Sequence, residues 1–189
     1  MIYLLRHGLD DERFIGGWSD VDLLPEGIEQ VNATLDKMKE LGIDIEKVLV
    51  SDVLRAKTTA ELVLSKYPNI TSYEVNTMFR EQNKGLLNGM DTSIADRDYP
   101  EYRGKNVKID TVYPEGESLL DLYKRIKENL EEILSLDDNT LIVTHRGVIN
   151  MLYFILNNQE LDMDKKQFGV THASLHELNK KEKSIRKVI

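Results

Sequence analysis

The sequence predicts an α/β fold: a three-layer αβα sandwich whose central sheet is mostly parallel, with an antiparallel edge strand. Three observations carry that expectation. Short apolar runs recur at Ile2-Tyr3-Leu4-Leu5, Val48-Leu49-Val50 and Leu141-Ile142-Val143, the pattern of strands buried on both faces. Helical stretches separate them, which indicates βαβ units with parallel strands. The chain then closes with β-like alternation from about Val170 to Leu178, a lysine-rich turn and a short strand to Ile189. That reads as an antiparallel hairpin at the sheet edge.

Each element has a local reason. Leu24-Pro25-Glu26-Gly27 is a turn that feeds a helix carrying Ile28, Val31, Leu35, Met38 and Leu41, and Gly42 ends it. After the second strand, Ser51-Asp52 offers a cap to a helix containing Ala56, Ala60, Leu62 and Val63. A weak third strand is expected around Tyr73 to Val75. From Arg80 to Pro114 the pattern dissolves into glycine, asparagine, aspartate, tyrosine and proline, the composition of a segment that covers or shapes a site. One long amphipathic helix is expected from Leu119 to Leu134, and an apolar helix from Val148 to Leu156. No internal repeat or linker interrupts the 189 residues, and one domain spanning residues 1–189 is expected.

Composition bounds the function. The apolar fraction is 41%, the charged fraction 31% and the net charge −8. An acidic chain lacks the basic footprint of a nucleic-acid binder. Its one basic cluster (Lys180, Lys181, Lys183, Arg186, Lys187) reads as a guarded sheet edge. No run is long enough to span a membrane, and the N-terminus shows no signal-peptide pattern. The absence of cysteine fits a reducing compartment, so a cytoplasmic location is expected.

The chemistry concentrates at strand ends. The first apolar run stops at Arg6-His7-Gly8, the second at Ser51-Asp52 with Arg55 one turn later, and the third at Thr144-His145-Arg146-Gly147. Parallel strands would bring two histidines and several arginines to one sheet edge, where α/β folds bind ligands. Arginines beside histidines disfavour imidazolium, which leaves neutral rings able to attack while the guanidiniums hold an anion. Phosphoryl transfer through a phosphohistidine, with no metal or other cofactor, fits that set. His172 and His176 have zinc-like spacing, but on an expected strand they lie roughly 13 Å apart. His172 is therefore expected near the site rim and His176 in a structural role.

These residues resemble the histidine phosphatase superfamily, the phosphoglycerate-mutase-like proteins, over nearly the whole chain. The motifs run in family order: Leu4-Leu5-Arg6-His7-Gly8, then Gly17-Trp18-Ser19-Asp20-Val21-Asp22-Leu23 through Gly27. Ser51-Asp52-Val53-Leu54-Arg55-Ala56, Arg80-Glu81-Gln82-Asn83-Lys84-Gly85, Glu115-Gly116-Glu117-Ser118 and Val143-Thr144-His145-Arg146-Gly147 follow. The resemblance implies that His7 is the nucleophile, that Arg6, Arg55 and His145 complete the phosphate pocket, and that Glu81 is the general acid and base. It implies a phosphorylated small molecule as substrate.

The chain departs from the family pattern after Gly8. Leu9-Asp10-Asp11-Glu12-Arg13 stands where relatives carry a Glu-Thr or Glu-Ser pair and then a phosphate-binding asparagine. Arg13 is a candidate replacement for that contact, although the three acids offer the opposite outcome and hold it away. Gly8, where backbone can approach the ligand, and Arg146, which replaces a small residue, are the other candidate substrate contacts. A phosphomonoesterase is the leading expectation. Phosphoglycerate mutase chemistry, alpha-ribazole phosphatase activity and a non-catalytic phosphate-binding regulatory module are the alternatives. Oligomeric state is left open.

Overall fold

The computed structural model describes residues 1–164 and 166–189. Its centre is a six-stranded sheet built from β1 (Ile2–Arg6), β2 (Lys47–Val50), β3 (Glu74–Val75), β4 (Thr140–Thr144), β5 (Leu175–Asn179) and β6 (Ser184–Lys187). The spatial order is β3-β2-β4-β1-β5-β6. β1, β2, β3 and β4 run parallel, β5 pairs antiparallel with β1, and β6 pairs antiparallel with β5. The expected sandwich and its edge hairpin are present.

Strand alternation divides the core. Tyr3, Leu5, Val48, Val50, Leu141 and Val143 face α1 (Pro25–Glu40) and α2 (Leu54–Lys66). Ile2, Leu4, Leu49 and Ile142 face the opposite layer of α4 (Leu119–Glu128), α5 (Leu130–Ser135) and α6 (Arg146–Leu156). Ile126 of α4 is fully buried in that second layer. Ile126→Ala should therefore cost about 2–5 kcal/mol, read by denaturant unfolding, since a truncated core side chain loses transfer energy and leaves a cavity.

Several local expectations are corrected. Helix α2 is capped by Val53 without a side-chain bond. Ser51 instead meets His145, and Asp52 forms an ion pair with Arg80 (Nε to Oδ1, 2.6 Å). Tertiary partners thus displace the cap. The long helix breaks in two at Asn129, whose side chain donates to the Arg125 carbonyl (2.7 Å). The closing alternation is strand only from Leu175. Residues 171–174 form a turn in which Ala173 takes φ +53°, fastened to β1 by Arg6 N–H to Ser174 O and Ala173 N–H to His7 O. Short strand β3 is exposed.

The irregular segment holds α3 (Thr92–Asp98). It also has a small core of its own: Ile15, Leu87, Ala95 and Tyr113, with Met90, Tyr99, Tyr102 and Val107 packed against them. It is a built wall beside the sheet edge.

Candidate active site

Register places the chemistry. Arg6 is opposite Thr144 and Val50 opposite Val143, so the residues that follow each strand emerge side by side. His7, His145 and Arg55 are buried there, and Arg6 is only 4% exposed. A cavity of about 320 Å³ opens above them, lined in part by Arg6, His7, Arg55 and Glu81.

His7 is fixed in one tautomer. Its Nδ1–H donates to the Gly8 carbonyl (2.7 Å), because a carbonyl can only accept. Nε2 therefore keeps its lone pair and receives Arg55 Nε–H at 3.3 Å. Burial first, then Arg55, His145 and Arg6, hold the imidazole well below its ordinary pKa. The ring is neutral and nucleophilic through the neutral pH range.

The His145 ring lies 5.2 Å from that of His7. Its Nε2 bonds the fully buried Ser51 hydroxyl at 2.8 Å, while Nδ1 is buried without a partner among the described residues. With the serine proton in that bond, Nδ1–H is left as a donor. Burial and Arg55 hold this ring neutral as well. Arg6 Nη1 donates to the Val170 carbonyl (3.1 Å), yet its Nε is buried and unpaired among the described residues. Arg55 is oriented by the Gly17 carbonyl (2.8 Å) and the Ser19 hydroxyl (3.4 Å).

Glu81 stands at the amino end of α6. Its Oε2 accepts Gly147 N–H (3.1 Å) and its Oε1 accepts Gln82 N–H (2.9 Å). Burial opposes its ionisation, but His145 when protonated, the two N–H groups and Arg55 outweigh burial and lower the carboxyl to about 2. The segment carrying it is held from outside. Trp18 Nε1–H donates to the Glu81 carbonyl (2.7 Å), and Arg125 reaches the Met78 and Arg80 carbonyls while pairing with Glu117 (2.8 Å). An added Cβ on Gly147 would lie 2.0 Å from Glu81 Oε1. Gly147→Ala should thus displace the carboxylate and lower turnover by roughly 10²-fold. Thermal stability should also fall, since the displaced carboxylate loses its buried hydrogen bonds.

Two candidate contacts are placed elsewhere. Arg13 is exposed and bonded to Asp11, with Nε to Oδ1 at 2.9 Å, so it does not reach the cavity. The nearby carboxylate two residues back wins over the distant pocket. Gly8 has a packing reason instead: a Cβ there would meet the Gly27 carbonyl oxygen at 2.2 Å. Gly16 and Gly17 line the cavity in its stead, and so does Arg146.

The sequence reading missed Asp10 and placed His172 only at the rim. Asp10 lines the cavity with Oδ2 3.4 Å from Arg55 Nε. The His172 ring lies 5.9 Å from that of His7. His176 is structural, with Tyr153 OH donating to Nδ1 (2.9 Å) and Nε2–H donating to Ser174 Oγ (2.9 Å).

A neutral imidazole that keeps its Nε2 lone pair, with Arg55 donating to it, is the arrangement that phosphoryl transfer through a histidine requires. The model of the histidine phosphatase superfamily (branch 1) matches residues 2–188, and the chain belongs to that superfamily. It is accordingly a phosphomonoester hydrolase of the histidine-phosphatase type. A 2,3-bisphosphoglycerate-dependent phosphoglycerate mutase of Methylocella silvestris is 26% identical over 169 residues, 83% of this chain and 81% of that protein. Among solved structures, the alpha-ribazole phosphatase of Shigella flexneri superposes with a TM-score of 0.79 at 22% identity, covering 100% of this chain and 94% of that one. A mycobacterial glucosyl-3-phosphoglycerate phosphatase gives 0.74 at 23% identity, covering 99% and 95%. Identities this low speak to the fold alone.

Proposed function

We propose that this chain hydrolyses a small phosphomonoester through a phosphohistidine on His7. The observation that carries the reading is a pair of buried donors without a partner among the described residues, Arg6 Nε and His145 Nδ1, in the residues flanking His7 in sequence and space. Buried donors without partners are costly in an empty protein. A phosphoryl group resting against His7 would satisfy both, and Arg55 would donate to a third oxygen.

In the first step Nε2 attacks phosphorus, the ester P–O bond breaks, and Glu81 passes a proton to the leaving oxygen. In the second, Glu81 takes a proton from water, whose oxygen displaces the histidine and releases inorganic phosphate. Arg146, at the first position of α6 and on the cavity wall, would contact an anionic part of the substrate. The chain would act in the cytoplasm.

Turnover of an aryl phosphate with EDTA present tests this reading. Release of inorganic phosphate, blocked by vanadate, is the expected result. A broad panel of phosphomonoesters left unhydrolysed above a His7→Ala control would overturn it. The name of the Methylocella silvestris relative favours a second reading. Interconversion of 2- and 3-phosphoglycerate, dependent on a bisphosphate primer, would select it.

A further inference from the structure

The loop that departs from the family pattern puts a carboxylate beside the Arg55 guanidinium. Asp10 Oδ2 lies 3.4 Å from Arg55 Nε, the same N–H that reaches His7 Nε2. Asp10 Oδ1 lies 3.7 Å from His172 Nε2, which is buried and has no hydrogen-bond partner among the described residues. The side chains of Asp10 and His172 are 14% and 17% exposed. His172 is held at the site by the turn that anchors Ala173 to the His7 carbonyl.

We propose that Asp10 and His172 form a proton-holding pair inside the phosphate pocket, and that the pair takes up a proton when a phosphoryl group binds. The inference rests on the phosphate-pocket reading above and adds a proton-linked determinant of affinity. Charge supplies the reason. Around the pocket the cations Arg6, Arg55 and Arg146 face the carboxylates Glu81, Asp10 and Glu12. A phosphoryl dianion adds two negative charges, and one of its oxygens must compete with Asp10 for the Arg55 guanidinium. An ionised Asp10 repels that oxygen, whereas a protonated Asp10 can donate to it or share its proton with His172.

The groups facing the pair fix its resting state. Burial pushes the Asp10 carboxyl up, while Arg55 and Arg6 draw it down and Glu12 raises it. Burial, with Arg6, Arg146 and Arg55 nearby, lowers His172 to about 4. At neutral pH the histidine is therefore an uncharged base beside a carboxylate, ready to receive a proton once an anion offsets the arginines.

Calorimetric titration with inorganic phosphate between about pH 6 and about pH 8 tests the pair without turnover. Uptake of one proton adds roughly a tenfold loss of affinity per pH unit. Asp10→Asn should remove that component and bind phosphate roughly tenfold or more tightly than wild type at the upper end. His172→Asn should weaken binding by wild type there, and change nothing when added to Asp10→Asn. Asp10→Asn with unchanged steepness, or with weaker binding, overturns the inference. Equal effects of His172→Asn in both backgrounds would also overturn it. If wild type binds no phosphate at any pH, the phosphate-pocket reading itself falls, and the pair with it.

Discussion

His7→Ala should lower turnover of every phosphomonoester substrate by roughly four orders of magnitude or more, measured as initial rates of phosphate release. Groups that act as one unit lose nearly all their joint effect when the nucleophile is removed. His145 turns Nε2 to Ser51, and its Nδ1, with a proton on it, is a donor rather than a nucleophile. Folding should survive, because the substitution leaves the backbone bonds of His7 to Thr144 and Ala173 in place. Phosphate should still bind through Arg6 and Arg55. Loss of turnover with binding retained separates a missing nucleophile from a damaged pocket.

Glu81→Gln should cost roughly 10²–10⁴ in kcat for alkyl phosphates. The loss should be far smaller for an aryl phosphate, whose leaving oxygen departs without a proton. That contrast is the signature of a general acid. The pH profile should follow from where the proton begins. With its carboxyl lowered to about 2, Glu81 is ionised at neutral pH. A phosphomonoester, with a second pKa near 6, brings about a tenth of its molecules in with a proton at that pH. The anion also raises the Glu81 carboxyl: one charge roughly 4 Å away at an effective dielectric of about 20 contributes up to ~4 kcal/mol. The sign is therefore definite. kcat/KM should fall as pH rises above about 6, and its decline on the acid side should begin only well below the ordinary histidine range, where His7 protonates. A rate rising through the same alkaline range would contradict the assignment of Glu81.

Apolar runs and strand ends made most of the fold legible. Ile2–Leu5, Val48–Val50 and Leu141–Val143 could be buried on both faces only in a covered sheet, and their polar endings pointed to one edge. Arg6, His7, Arg55, Glu81 and His145, named from the ordered motifs, do come together. What stayed hidden is tertiary or local. Val170 to Ser174 alternates like a strand, but Ala173 adopts a left-handed conformation and the turn is pinned to β1. His172 thereby moves from the rim to the side of His7. Asp10 reads as one of three solvated acids until the loop is closed by its bridge to Leu23. Arg13, the natural candidate for an anion contact, is captured by Asp11. Ser51 reads as a cap because nothing local reveals that His145 sits across the sheet edge from it.

The central claim is that phosphate passes through His7. Rapid mixing of the protein with an aryl phosphate, followed by alkaline quench and peptide mapping, addresses it directly, since phosphohistidine survives base. The predicted result is one phosphoryl group on the peptide containing His7, formed in step with a burst of aryl alcohol and absent from His7→Ala. Phosphate found on another residue, or full turnover by His7→Ala, would contradict the account.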